Sequence, residues 1–203
     1  MLVDNLNGIR LLSPLLTALN GSSLQQKNSF LLDKLEQQVL SEKLTITDDP
    51  LAPHTFGARL FDNEGVATQK RVVFNKGVLK TYFIDTYYAS KMQVQQTINS
   101  PSRLVFELGA RSCEEMVAGL DRGILITGFN GGNCNSNSGD FSFGIEGFLI
   151  ENGRLTQPVT EMNITGNMLT LWKNVAEVGN DPRLNNAYQV PSLLFGGVDF
   201  SGL

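Results

Sequence analysis

The sequence predicts an α+β domain that is rich in β-structure, built as an antiparallel sheet or a barrel-like sheet with a few short helices. Three observations lead to this prediction. Roughly seven or eight segments alternate apolar and polar residues, as half-buried strands do. About three or four shorter segments have helical spacing, and Lys-Gly and Asn-Gly turns join neighbouring strand segments. No linker interrupts the chain, so residues 1–203 are expected to form a single domain.

The N-terminal part predicts one short helix and one strand. Ser13 can cap a helix, Pro14 suits its first turn and Gly21 suits the position just past its end. Its buried face would consist of Leu12, Leu15, Leu16 and Leu19. Residues 25–40 have a mixed pattern with helical spacing over 30–35, and residues 43–47 alternate as a strand that the following Asp-Asp-Pro ends.

Residues 51–68 form a long connection, because the turn residues Pro50, Pro53, Gly57 and Gly65 leave little room for regular structure. Such a segment is either a functional loop or is wrapped onto another part of the protein. It carries the only histidine, His54. A catalytic zinc needs three protein ligands, and none cluster near His54, so a surface position is expected for it.

Two segments predict antiparallel hairpins, residues 71–84 with a turn at 75–77 and residues 144–164 with a turn at 151–154. Each hairpin is followed by a predicted helix. Asp85 would cap the first helix, and Thr165 or Asn167 would open the second, which Gly179 would close. The helix faces would comprise Tyr88, Ala89 and Met92, and then Met168, Leu171, Trp172 and Val175. The repeated order could reflect a duplicated half-barrel or the frequency of hairpins, and both readings stay open.

The remaining elements lie between and after these hairpins. A strand is predicted over 102–108, with Leu104, Phe106 and Leu108 on one face. Ser112 and Glu115 form a capping box that opens a short helix. Residues 123–127 form the strand that leads into a glycine-rich loop, and residues 191–200 form the final strand.

The stretch from 128 to 153, GFNGGNCNSNSGDFSFGIEGFLIENG, organises the chain. Its glycines and asparagines accept positive φ, and its continuation alternates as a half-buried strand. A phosphate cradle needs its glycines between a strand and a helix, and here a strand follows. The spacing also fits neither a dinucleotide motif nor a P-loop. The loop is therefore either structural or the wall of a binding cleft. Candidate substrate-binding residues are Asn130, Gly131, Gly132, Asn133, Asn135, Asp140 and Phe141.

This stretch resembles the C-terminal domain of the TldD/PmbA family of zinc metallopeptidases, which were once labelled modulators of DNA gyrase. The carrying motifs are GGNCN (131–135), SGDFS (138–142), GF (147–148), ENG (151–153), QPV (157–159) and ITGN (164–167), at the family's spacing. Upstream, SPLL (13–16), DDP (48–50), FDNEG (61–65) and KGVLK (76–80) extend the resemblance over nearly the whole chain. The PmbA branch, also called TldE, is the more similar one. The resemblance implies that the chain is the C-terminal half of a longer protein.

The resemblance implies proteolysis or peptide processing, with zinc held by an HExxxH motif of the TldD branch. This chain has no HExxxH, and residues 182–190 lack the cysteine that TldD-like sequences supply there. We therefore expect no catalytic residue, no metal site and no cofactor in this chain, with zinc in a TldD-like partner. The expected partners are that homologue or a second copy, and a peptide or unfolded protein.

Other candidate chemical groups are dispersed. Cys113 and Cys134 fall in a helix start and in the glycine-rich loop, and two free thiols are expected. Asp140 and Glu146 would lie roughly 20 Å apart on a straight strand, too far to share one reacting atom. We expect Asp140 to stabilise a turn and Glu146 to be solvated. The carboxylates of Asp48 and Asp49 fit a strand-ending turn.

Composition excludes two classes of partner. The net charge of −4 and the absence of clustered Lys and Arg argue against nucleic acid. No apolar run approaches the ~20 residues that cross a bilayer, and the N-terminus lacks a signal-peptide pattern, so a cytoplasmic protein is expected. Two functions remain: a domain that helps a zinc-bearing homologue to hold an extended peptide, for example as a strand added to a sheet edge, or a self-contained binding or scaffold module.

Overall fold

A computed structural model describes residues 1–202. Within them the chain forms five α-helices and thirteen β-strands. The helices are α1 (Gly8–Ala18), α2 (Gly21–Gln25), α3 (Thr86–Met92), α4 (Cys113–Ala118) and α5 (Met168–Lys173). The strands are β1 (Leu2–Val3), β2 (Ile46–Asp48), β3 (Arg71–Asn75), β4 (Val78–Leu79), β5 (Leu104–Phe106), β6 (Arg122–Phe129), β7 (Asn133–Cys134), β8 (Asp140–Glu151), β9 (Arg154–Asn167), β10 (Val175–Val178), β11 (Tyr188–Gln189), β12 (Leu193–Phe195) and β13 (Asp199–Ser201).

The strands make two open sheets, which confirms the β-rich α+β prediction. The larger sheet runs β10-β12-β1-β6-β8-β9-β13, with β7 beside β8, and the smaller runs β11-β5-β2-β3-β4. Most pairs are antiparallel, but β1 with β6 and β11 with β5 are parallel. Neither sheet closes on itself, so the barrel-like alternative is not realised. The two predicted hairpins lie in different sheets.

One main core joins the sheets, with α1 and α5 packed into it. Leu11, Leu12 and Leu15 of α1 are fully buried in this core. Trp172 of α5 is also fully buried, and its ring meets the ring of Phe195 edge-on at 5.8 Å between centroids. A second cluster lies on the other face of the large sheet, beneath α4. No helix within residues 1–202 is long and apolar enough to cross a membrane.

The hairpins and three of the caps are confirmed. Asn152 and Gly153 both have positive φ (49° and 75°), as a primed two-residue turn requires. The Asp85 side chain accepts the N–H of Tyr88 at the start of α3. Ser112 makes the full capping box of α4. The Asn167 side chain accepts the N–H of Leu169 and so opens α5.

Several boundaries differ from the sequence prediction because tertiary packing overrides local signals. Helix α1 begins at Gly8 and carries Pro14 inside it, since its buried leucines stabilise it beyond what the proline removes. Asn20 caps a second helix by accepting the N–H of Ser22, so Gly21 begins α2 instead of ending α1. Residues 30–35 form turns and not a helix.

The C-terminal boundaries also differ. Helix α5 ends at Lys173, and the segment that Gly179 was expected to close is strand β10. The predicted last strand is two strands, because Gly197 between them has a φ of 56°. Strand β5 is shorter than predicted, and Leu108 beyond it is 45% exposed. Strand β4 likewise ends at Leu79.

Candidate functional site

The glycine-rich loop connects the adjacent strands β6 and β8 and is ordered by backbone hydrogen bonds. Asn130 N–H donates to Gly144 (3.0 Å), Asn135 N–H to Asp140 (2.8 Å) and Gly139 N–H back to Asn135 (2.8 Å). Residues 133–134 form β7, which pairs with β8. The prediction that the loop lies between two adjacent strands is therefore confirmed, and its low mobility stays a prediction.

Three loop glycines have the backbone conformation that the sequence suggested. The φ angles of Gly131, Gly132 and Gly139 are 148°, 89° and 81°. At Gly132 a Cβ atom would also lie 2.0 Å from the carbonyl oxygen of Ser142. The loop thus approaches β8 so closely that no side chain fits at Gly132.

The loop's polar side chains are largely engaged with the loop itself. The Asn135 carboxamide accepts the N–H groups of Asn137 (2.9 Å) and Ser138 (3.2 Å). Asp140 accepts from the Ser138 hydroxyl (2.7 Å) and the Asn167 amide (2.9 Å). Hydrogen bonds from Asn167 and then Ser138 lower the pKa of Asp140. Asp140 therefore holds the loop to the end of β9, as a turn-stabilising residue does, and is not set up as a catalytic acid.

Aromatic residues of β8 support the loop from below. Phe141 is buried, and its ring stacks on Phe143 with centroids 5.2 Å apart. Phe129, at the end of β6, meets Phe143 edge-on at 6.0 Å. Of the predicted site residues, Phe141 is thus a core residue that shapes the loop, whereas Asn130, Gly131, Gly132 and Asn133 are exposed.

Arg10 of α1 belongs to this site, and sequence reasoning missed it. Its Nη2 donates to the carbonyl oxygens of Gly132 (2.9 Å) and Gly131 (3.4 Å). Its Cζ atom lies 4.8 Å from the centre of the Phe143 ring, a cation–π contact. The pairing spans more than 120 positions of sequence, so no local pattern announced it.

Helix α1 and the loop enclose a cleft of about 310 Å³. Helix α1 lines it with Arg10, Ser13, Pro14 and Thr17, and the loop side and its support contribute Gly132, Asn133, Cys134, Ser136, Phe30 and Phe143. Two of the predicted substrate-binding residues, Gly132 and Asn133, therefore lie in its wall. Strand β7 borders this cleft and is paired only with β8 among residues 1–202.

A second open surface follows β9. Strand β13 covers only Asn163 to Thr165 of its outer edge, so residues 154–162 have a described strand on one side only. A groove of about 610 Å³ runs along this part, between Arg122, Leu149 and Phe200. The β8–β9 register shifts twice here, and Pro158 lies beside one shift. The prediction that Pro158 lies at an edge or a bulge is confirmed.

The metal-binding side-chain types are dispersed. His54 is exposed on the long connection, with a φ of 57°. Cys113 and Cys134 are both free, in α4 and β7. Burial raises the pKa of each thiol and so disfavours the thiolate form that binds zinc. No three His, Cys, Asp or Glu residues within the described part of the chain lie together as a metal site.

The remaining candidate carboxylates have separate structural positions. Asp48 is fully buried, and its Oδ1 accepts the N–H groups of Ser102 (2.9 Å) and Arg103 (2.8 Å). Burial raises the pKa of Asp48 despite these hydrogen bonds. Asp49 instead pairs with Lys70 at 3.0 Å. Glu146 is exposed, as predicted, over Gly128.

The fold and the loop define a β-rich α+β domain with a glycine-rich loop beside a cleft, and comparison with known proteins gives the family. The family model described as the PmbA/TldA metallopeptidase C-terminal domain matches residues 2–202. The metalloprotease PmbA of Escherichia coli O157:H7 is 32% identical over 190 residues, covering 93% of this chain and 42% of that protein. The metalloprotease PmbA homologue of Buchnera aphidicola subsp. Baizongia pistaciae is 33% identical over 189 residues, covering 92% of this chain and 42% of that protein.

Solved structures agree. A protein of Bacteroides thetaiotaomicron, provisionally named a modulator of DNA gyrase, is 62% identical, with a TM-score of 0.98 over 100% of this chain and 46% of its own. TldE of Thermococcus kodakarensis is 28% identical, with a TM-score of 0.86 over 99% of this chain and 49% of its own. The chain therefore belongs to the PmbA/TldE type of this metalloprotease family and corresponds to its C-terminal domain. It spans about two fifths of the length of the curated relatives.

Proposed function

We propose that this domain is the peptide-holding, metal-free part of a TldD/PmbA-type peptidase assembly, and that a TldD-like subunit supplies the zinc. The full-length protein would contain a further N-terminal half, and the assembly would process unfolded peptides. Family membership supports the reaction class.

The proposal rests on where the possible zinc ligands of this chain lie. A catalytic zinc needs three protein ligands about 2.0–2.3 Å from one metal ion and an open position for water. His54, Cys113 and Cys134 lie on three separate segments, the long connection, α4 and β7, and burial disfavours the thiolate form of both cysteines. These groups would have to leave their elements to meet at one ion.

The open strand edges support the peptide-holding role. An extended peptide can pair with a free edge through its backbone, so recognition tolerates many side chains. Strand β7 offers such an edge beside the cleft of α1, and residues 154–162 of β9 offer another beside the larger groove. The candidate residues Asn130 to Asp140 lie at the first of these edges.

The test combines metal analysis with peptide digestion. The chain alone should purify without stoichiometric zinc and leave an unfolded peptide mixture intact. The full-length protein, mixed with a TldD-like subunit, should cleave the same mixture, and a chelator should abolish the cleavage. One equivalent of tightly bound zinc in this chain, or cleavage by it alone, would overturn the proposal and assign the chemistry to this subunit.

The alternative is a self-contained binding or scaffold module. It is favoured if the full-length protein neither binds a TldD-like subunit nor alters its cleavage rate. Size-exclusion chromatography of the mixture, compared with each component, separates the two functions.

A further inference from the structure

We propose that the cleft between α1 and the glycine-rich loop binds a peptide carboxylate through Arg10. This inference rests on the proposed peptide-holding function and names the group that would be recognised. The carboxylate could be a free C-terminus or an Asp or Glu side chain, and the experiment below separates these two sources.

The guanidinium of Arg10 is preorganised. One of its nitrogens, Nη2, is occupied by the carbonyl oxygens of Gly131 and Gly132, and its plane is held near the Phe143 ring. The side chain is exposed, and nothing in residues 1–202 accepts a hydrogen bond from its Nε or Nη1. A guanidinium fixed in this way can offer its remaining N–H donors to a carboxylate with little further loss of side-chain freedom.

Charge in the cleft favours an anion. Among residues 1–202, Arg10 is the only charged side chain that lines it. The nearest carboxylate along the loop, Asp140, has its two oxygens engaged by Ser138 and Asn167. An incoming carboxylate would therefore meet a cation that forms no ion pair among residues 1–202, and it could accept charge-assisted hydrogen bonds from that cation.

Backbone groups beside Arg10 suit the chain that carries the carboxylate. In an antiparallel pair, successive residues direct their N–H and C=O groups to opposite sides. One of Asn133 and Cys134 thus directs its backbone groups away from β8, on the side where β7 has no described neighbour. Across the cleft, the backbone carbonyl of Arg10 lacks its usual helical donor, because Pro14, four residues later in α1, has no N–H.

The cleft has room for a few residues of a peptide. Its volume of about 310 Å³ lies at the lower end of the ~300–1,000 Å³ typical of ligand pockets, and it is open to solvent on one side. The geometry points to an extended peptide segment paired with β7, with its carboxylate on Arg10.

The experiment titrates the ¹⁵N-labelled chain with three acetylated pentapeptides and follows backbone amide shifts. The first, Ac-Ala-Ala-Val-Ala-Ala, has a free carboxylate; the second is its C-terminal amide; the third is an amide with a central Glu. We expect the free acid to shift the signals of Gly132, Asn133 and Cys134, and the plain amide to bind at least about tenfold more weakly. Binding of the Glu peptide at the same signals would assign the site to acidic side chains as well.

Variants connect the effect to Arg10. Arg10→Met should abolish the preference for the free acid over the amide. Arg10→Lys should retain part of this preference, because lysine keeps the positive charge but cannot donate two parallel hydrogen bonds to a carboxylate. Arg183→Met is the matched control, since Arg183 lines neither the cleft nor the groove beside β9 and its side chain donates to Asn185. Loop integrity is checked from the Gly132 and Gly139 signals of each variant without peptide.

The outcomes separate the two proposals. Equal binding of acid and amide by the unchanged chain, or shifts confined to β9, would overturn the role of Arg10 and leave peptide holding intact. No binding of any peptide would count against both. Because the acid and amide comparison uses the unchanged chain, a folding defect in Arg10→Met cannot rescue the inference.

Discussion

Gly132 combines a positive φ with a close backbone contact, so its substitution should be costly. A Cβ there would lie 2.0 Å from the Ser142 carbonyl oxygen. We predict that Gly132→Val lowers the free energy of unfolding by more than about 1 kcal/mol. Gly65→Val is the matched control: its φ is 77°, but nothing lies within 4 Å of the added Cβ. Urea unfolding measures both, and equal losses would contradict a role for the contact.

Asp48 should make stability depend on pH in the direction opposite to most carboxylates. Its pKa is raised above the ordinary 3.8, chiefly because burial disfavours the charged form. The folded state therefore binds the proton more tightly than the unfolded state. This contribution is fully present below the unfolded pKa and is lost as the pH rises through the folded pKa.

Comparison with Asp48→Asn isolates this effect. As the pH rises from about 4, the unfolding free energy of the unchanged chain should fall relative to that of the variant, which has no charge to bury. Urea unfolding at several pH values between about 4 and 7 measures the difference. Parallel profiles would contradict the raised pKa.

At the scale of elements, Asn167 at the end of β9 links this strand to α5 and to the glycine-rich loop. Its side chain caps α5 by accepting the Leu169 N–H (3.0 Å) and donates to the Ser138 carbonyl (2.8 Å) and to Asp140. Asn167→Ala should cost about 1–2 kcal/mol, because it removes the cap and both donations. Calorimetric melting of the variant measures this loss.

Asn167→Asp separates the two tasks of this side chain. Aspartate keeps the cap acceptor but has no donor and places a second carboxylate beside Asp140. We expect α5 to persist while the pKa of Asp140 rises, because its first cause of lowering is gone. Carboxyl ¹³C shifts against pH report the change, and an unaltered Asp140 titration would contradict the proposed link.

At the scale of the whole molecule, the long connection after β2 turns polar side chains toward the domain and leaves large apolar side chains exposed to solvent. Arg59 donates to Ser102 (2.7 Å), and the buried Asp62 accepts the N–H groups of Glu64 and Val66. In contrast, Leu60 and Phe61 are 73% and 64% exposed. The segment is therefore ordered by its polar anchors and presents apolar side chains to its surroundings.

We predict that Leu60→Gln changes the free energy of unfolding by less than about 0.5 kcal/mol, because Leu60 contributes little to the core. It should also reduce binding of a hydrophobic dye by the folded chain. Leu79→Gln is the control at a fully buried position and should cost several times more. A large loss for Leu60→Gln would mean that this side chain packs against the domain.

Local patterns determined the elements whose signals are contained in a few adjacent residues. The primed turn at Asn152 and Gly153, the capping box at Ser112 and the loop glycines are of this kind, because φ preferences and capping bonds act within about four residues. The family motifs likewise lie in short, ordered runs. These features sufficed for the fold class, the family and the position of the candidate loop.

Only the tertiary structure decided which distant groups meet. Arg10 donates a hydrogen bond to the loop across more than 120 positions of sequence, and Asp48 accepts hydrogen bonds from the distant Ser102 and Arg103. The core extended α1 through Pro14 and back to Gly8. Strand β13 pairs only with Asn163 to Thr165, so residues 154–162 have a described strand on one side only. Sequence periodicity states which face of an element is buried, but the partner of that face depends on the packing of the whole chain, where long-range contacts outweigh local preference.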